Sequence, residues 1–318
     1  MRRQVCTLCL LLALSNNGAS LAAGTDLPAQ IADRSQSVTL EVAGALRRYL
    51  LYLPSNRDRG APLPLVVALH GGGGHAEFMA DDERYGLISK AERAGFAVVF
   101  PNGHSRLPRG RLATWNAGGC CGNARDTGSD DVGFIRAVVA DVARRTPIDR
   151  QRIFATGMSN GGMMAYRLAC EAADLFRAVA AVAGTEAVAG CQPARAVPIL
   201  HIHARDDSHV LFDGGAGADA FRDRRQVMDF VSVPETIARW VRRNGCQPAP
   251  RRILERPGAW CERYTGCRAA ASVQLCVTAE GGHSWPGAAR VRRGKADASQ
   301  ALDANDTIWN FFVEVAGS

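Results

Sequence analysis

The chain has 318 residues, 47% of them hydrophobic, 22% charged and 7% aromatic, which is the composition of a folded globular protein and excludes collagen-like or disordered architecture. No run of 18 apolar residues occurs, so a membrane-spanning helix is excluded. The formal charge of +7 comes almost wholly from arginine, scattered among acids without interleaved aromatics, so neither nucleic acid nor a membrane is an expected partner.

Arg2 and Arg3 precede an apolar run from Val5 to Leu14 and small residues at Ser20 and Ala22. That order is the pattern of a secretory signal peptide over residues 1–22, with cleavage expected after Ala22 and one domain over residues 23–318. Removing Arg2 and Arg3 takes the formal charge from +7 to +5. Cys6 and Cys9 leave with the segment, and Cys120, Cys121, Cys170, Cys191, Cys246, Cys261, Cys267 and Cys276 remain. An even count in an exported chain argues for disulfides, and no C-x-x-C spacing suggests zinc.

In chain order, β-branched apolar runs predict strands at residues 37–42, 48–53, 65–69, 96–100, 152–156, 178–183, 198–203 and 273–278. Several are continuously apolar, as strands buried on both faces are, so most of the sheet is expected to be parallel. Between them, helical spacing predicts helices over residues 83–94, 161–170, 234–244 and 307–315. Another is predicted from Asp130 onward, where Val132, Ile135, Val138, Val139 and Val142 share a face. Residues 103–129 and 208–231 read as long loops. This alternation predicts an α/β fold, a central sheet flanked by helices.

The strongest chemical signal is Gly157-Met158-Ser159-Asn160-Gly161, a G-x-S-x-G turn between a predicted strand and a predicted helix, which would lift the serine hydroxyl above the sheet edge. A serine needs a base and an orienting acid, in the chain order Ser, acid, His for such a fold. His283, on a Gly/Pro-rich loop after the last predicted strand, is the candidate base. Asp206 and Asp207, where the strand over residues 198–203 runs out, are both candidate acids, and spacing does not separate them. His70-Gly71-Gly72-Gly73-Gly74 suits a loop whose backbone N–H groups hold an oxyanion. Gly72 and Asn160 are the expected donors, with Gly71 in reserve.

Those motifs, with Trp115-Asn116-Ala117-Gly118-Gly119-Cys120-Cys121-Gly122, Asp130-Asp131-Val132-Gly133-Phe134, Asp207-x-x-Val210 and Gly282-His283-x-Trp285-Pro286-Gly287, resemble the secreted polyhydroxybutyrate depolymerase and feruloyl esterase family of α/β-hydrolases. The resemblance implies an α/β-hydrolase fold, Ser159 as nucleophile, Asp207 as acid and His283 as base. It also implies Cys170–Cys191 and Cys246–Cys267 disulfides, leaving Cys261 for Cys276 and Cys120 for Cys121. Where the family often carries proline and tyrosine after the valine, this chain has Leu211 and Phe212. Trp115 and Trp285 are candidate walls of the substrate pocket.

The expected activity is therefore serine-catalysed hydrolysis of carboxylic esters, without cofactor or metal, by a secreted monomer. Poly- or oligo-(3-hydroxybutyrate) is the leading substrate and a feruloyl or acetyl polysaccharide ester the alternative. No appended substrate-binding module is read from the sequence, which disfavours tight adsorption to a crystalline polymer and leaves oligomers, amorphous polymer or soluble esters as plausible as bulk granules. Three other readings are weaker. Gly71-x-Gly73-x-x-Ala76 formally fits a dinucleotide fingerprint but lacks the acid expected about twenty positions on. His201-x-His203 with Asp206 or Asp207 could hold a metal. A non-catalytic binding protein could use the same scaffold.

Overall fold

The computed structural model describes Met1 and residues 35–220, 227–291 and 296–317; the expected signal peptide lies outside the described residues. Among these, ten strands form one sheet in the order β1-β2-β4-β3-β5-β6-β7-β10-β9-β8. They are β1 (Gln36–Val42), β2 (Ala45–Tyr52), β3 (Leu63–Leu69), β4 (Ala97–Pro101), β5 (Ile148–Met158), β6 (Ala178–Val182), β7 (Ile199–Ala204), β8 (Arg251–Arg256), β9 (Ala259–Tyr264) and β10 (Val273–Thr278). The run from β4 to β10 is parallel throughout, and the flanking pairs on each side are antiparallel. Every residue of β3, β4, β6, β7 and β10 is buried, which is why β3, β4 and β6 read as unbroken apolar runs, while β7 and β10 also bury His201, His203, Gln274 and Thr278.

Helices cover both faces. The short α1 (Ala76–Met79), α2 (Asp82–Tyr85) and α3 (Leu87–Ala94) precede α4 (Gly122–Asp126) and α5 (Asp131–Arg145). Then follow α6 (Asn160–Glu171), α7 (Val233–Asn244) and α8 (Ala304–Ala316). One face packs Phe134 and Ile135 of α5, Tyr166 and Leu168 of α6 and Trp240 of α7 against the sheet. The other packs Ile88 of α3 and Ile308, Phe311 and Phe312 of α8. Asp130 caps α5 by accepting from the Gly133 N–H at 2.8 Å. The next residue, Asp131, is buried, pairs with Arg47 at 2.7 Å and accepts from the Asn116 N–H at 2.8 Å, so one carboxylate ties the 116–129 loop to the sheet edge.

Several elements differ from the sequence expectation, among them α1, which it does not predict, and α4, which lies in the 103–129 stretch read as loop. The helix predicted over residues 83–94 is split by Gly86, whose φ of 62° ends α2; a Cβ there would lie 2.9 Å from the Asn305 amide, which donates to the Tyr85 carbonyl. The hairpin of β8 and β9 continues the sheet where the sequence predicts no strand, because its outer strand is largely exposed and arginine-rich. The last helix begins earlier than predicted, at an Asp303 cap that accepts from the Asp306 N–H.

Four disulfides join Cys120 to Cys121, Cys170 to Cys191, Cys246 to Cys267 and Cys261 to Cys276, the pairing the family resemblance implies together with the two it leaves over. The chain without residues 1–22, denatured but not reduced, is therefore expected to react with no thiol reagent. Two titratable thiols per chain would break one of these pairs.

Candidate active site

The carboxyl ends of the parallel strands gather the site at one sheet edge. β3 leads into the Gly71–Gly74 loop, β5 into Ser159, β7 into Asp206 and Asp207, and β10 into the loop carrying His283.

Ser159 occupies the tight turn between β5 and α6 with φ 56° and ψ −121°, a region that non-glycine residues rarely enter. Its N–H donates to the Val182 carbonyl at 2.8 Å, and its carbonyl accepts from the Met163 N–H at 2.9 Å. Flanking glycines are required by contact. A Cβ on Gly157 would lie 2.5 Å from the Gly161 carbonyl, and one on Gly161 would overlap the Leu69 carbonyl.

Asp207 separates from its neighbour by its donors. Oδ1 accepts from the His209 N–H at 2.8 Å and the Val210 N–H at 3.0 Å; Oδ2 accepts from His283 Nδ1 at 2.8 Å and lies 3.2 Å from His203 Nε2. Burial alone would raise its pKa, but the His283 charge and the hydrogen bonds from His203 and His283 outweigh it and hold the carboxyl well below its ordinary value. Asp206 instead accepts from the Gly281 and Gly282 N–H groups at 3.3 and 2.8 Å, fastening the loop that presents His283. Asp207 thus holds the His283 ring itself, and Asp206 holds the backbone of the two glycines that precede it.

Ser159 and His283 line one cavity of about 360 Å³, together with Gly71, Gly72 and His209. The His209 ring stacks on His283, centroids 4.4 Å apart and 12° from parallel. Phe78, Tyr85 and Trp285 form an aromatic wall in successive edge-to-face contacts at 5.9 and 5.5 Å. Trp285 lines this cavity. Trp115, the other candidate wall, does not: it is fully buried and absent from the cavity lining. Its indole N–H donates to the His70 carbonyl at 2.8 Å, and the Asn160 side chain bonds both its N–H and its carbonyl, at 2.7 and 3.0 Å. It supports the glycine loop from behind.

His70 fixes that loop's peptide planes. The Gly103 N–H donates to His70 Nε2 at 2.9 Å, so the ring hydrogen lies on Nδ1 and is donated to the Gly71 carbonyl at 2.8 Å. With that carbonyl held toward the ring and also accepting from the Gly74 N–H, the Gly72 N–H of the same peptide is turned the other way. Sequence reasoning assigned no role to His70, nor to Phe78, Tyr85 and His209, because their contacts come from segments remote in sequence.

The weaker readings fare differently. The Gly71-x-Gly73-x-x-Ala76 stretch leads into a four-residue helix whose N-terminus is capped by the His75 side chain. His201 and His203 spend their ring nitrogens on hydrogen bonds to Tyr166, to each other and to the Val210 carbonyl. Asp207, His209 and His283 offer ligand atoms within 4.8 Å of one another, but the Asp207 oxygens already face four donors.

The parallel sheet, with helices on both faces and this cluster at its edge, is of α/β-hydrolase type. The chain belongs to the esterase PHB depolymerase family, whose model matches residues 47–233. It is 30% identical over 247 residues to feruloyl esterase B of Piromyces equi, covering 75% of this chain and 42% of that protein, so it spans less than half of that relative. Feruloyl esterase C of Emericella nidulans is 29% identical over 277 residues, 84% of each chain. The structure of the acetyl xylan esterase from Aspergillus awamori superposes with a TM-score of 0.57 over 87% of this chain and 99% of that one, at 15% identity, a likeness of fold.

Burial lowers the His70 pKa to about 4, so the folded state keeps the ring neutral where an unfolded chain already binds a proton. Its contribution is complete above about pH 6.5 and lost as pH falls toward about 4, on the order of 3 kcal/mol. Denaturant titrations across that window are expected to show a shallower loss of stability for His70→Asn than for the parent. Equal slopes would mean that His70 is not held neutral.

Proposed function

We propose that the protein is an exported serine hydrolase of carboxylic esters, with Ser159 as nucleophile, His283 as base and Asp207 as acid. The observation that carries this reading is the His283 Nδ1 to Asp207 Oδ2 hydrogen bond of 2.8 Å beside Ser159 in one cavity. His283 Nε2 takes the Ser159 proton as Oγ attacks the ester carbonyl, and the N–H groups of Gly72 and Asn160, with Gly71 in reserve, receive the oxyanion. Collapse passes the proton from His283 to the departing alcohol and leaves an acyl-serine. Water activated by the same imidazole then releases the acid. Asp207 stays ionised and holds the ring's tautomer. Four disulfides and the expected signal peptide support export to an oxidising compartment.

The aromatic wall of Phe78, Tyr85 and Trp285 favours an ester whose acyl group is a flat aryl acid, of the hydroxycinnamoyl kind, as the names of the feruloyl esterase relatives suggest. The family match keeps the sequence-based expectation of oligo-(3-hydroxybutyrate) as the second reading. Initial rates on methyl ferulate and on hydroxybutyrate oligomers, with Ser159→Ala as blank, separate them. Ferulate is expected to be turned over faster, and Ser159→Ala to lose at least about a thousandfold in kcat while remaining folded. Faster oligomer cleavage reverses the order of the substrates, and retained activity in Ser159→Ala removes the nucleophile.

A further inference from the structure

Behind Asp207 runs a line of buried side chains that the chemistry above does not use. Tyr166 lies on α6, the helix that starts beside Ser159, and His201 and His203 project from the same face of β7. The Tyr166 hydroxyl is 2.8 Å from His201 Nδ1, and His201 Nε2 is 3.0 Å from His203 Nδ1. His203 Nε2 is 2.8 Å from the Val210 carbonyl and 3.2 Å from Asp207 Oδ2. All three side chains are at most 1% exposed.

The far end sets the direction of these bonds. Carbonyl and carboxylate oxygens only accept, so His203 Nε2 carries a hydrogen. In the neutral ring Nδ1 then accepts, which makes His201 Nε2 a donor and His201 Nδ1 an acceptor. The Tyr166 hydroxyl, the last member, must donate. Burial, then the neighbouring His203, holds the His201 pKa well below its ordinary value, and burial holds that of Tyr166 well above, so both remain neutral. Reversing the line would turn a His203 lone pair toward two acceptor oxygens in a site without water's dielectric.

We propose that Tyr166, His201 and His203 form a positioning chain that presents one N–H, shared between the Val210 carbonyl and Asp207 Oδ2, and thereby sets the angle at which the carboxylate meets His283. The inference rests on the Ser159, His283 and Asp207 reading given above. Two N–H groups share Oδ2, one from each side, so the carboxylate cannot turn toward His283 without leaving His203. His203 touches no reacting atom; it acts through Asp207. The chain also links the helix that follows the nucleophile to the loop that holds the acid.

Steady-state kinetics on p-nitrophenyl acetate test this in the full chain. His203→Phe is expected to lower kcat by about 10- to 100-fold with KM within about twofold, since only the charge that develops on His283 is affected. His203→Gln can place an amide N–H near the Nε2 position and is expected to recover most of that loss. Tyr166→Phe keeps the ring between His201 and Trp240 and removes only the donor; it is expected to lose severalfold in kcat. A parent-like kcat in His203→Phe, or His203→Gln as impaired as His203→Phe, overturns the proposal. Should His203→Phe fail to fold, a parent-like kcat in Tyr166→Phe overturns it equally. Failure of the triad reading is told apart by activity persisting in Ser159→Ala.

Discussion

A carboxylate kept charged at 2% exposure is the constraint around which this site is arranged. An isolated buried charge costs several kcal/mol, and Asp207 avoids that cost through two backbone N–H groups and two imidazoles. The backbone donors come from the turn that follows it, so the local chain path and the charge stabilise one another. The imidazoles come from β7 and from the loop after β10, which are hydrogen-bonded neighbours in the sheet.

Around that charge the fold distributes tension and support separately. Ser159 carries the strained backbone, and its strain is contained by hydrogen bonds to β6 and to the first turn of α6. The glycine loop is held from behind by His70 and Trp115, and Trp115 is in turn held by Asn160. Asn160 therefore serves twice: its side chain anchors the 103–121 loop while its backbone N–H directly follows Ser159. Few of these contacts are local in sequence.

That non-locality explains what was legible beforehand. Ser159 and His283, which line one cavity, could be singled out as candidates because a strand–turn–helix motif and a chain-order rule are local patterns. The parallel strands could be read because burial on both faces leaves an unbroken apolar run, as in β3. Asp206 and Asp207 could not be separated by spacing, since both lie in one turn and only the direction of the surrounding N–H groups distinguishes them. Trp115 was misplaced because an aromatic beside a motif faces the pocket or the core according to a contact 45 residues away. β8 gave no signal, for an arginine-covered edge strand has no apolar alternation.

The order of the cysteines has a consequence for how the chain matures. Cys120 with Cys121, and Cys170 with Cys191, are each the next cysteine in the chain after their partner, so oxidation in chain order would join them correctly. The last four are interlaced: Cys246 pairs with Cys267 across Cys261, and Cys261 pairs with Cys276 across Cys267. Bonding each of these to the next arrival would yield Cys246–Cys261 and Cys267–Cys276, neither of them native. Cys261 and Cys276 become neighbours when β9 has aligned beside β10, where they stand opposite each other in register. The C-terminal pairs therefore require either that the segment fold before it oxidises or that it be reshuffled by thiol–disulfide exchange, whereas the first two bridges need only an oxidant.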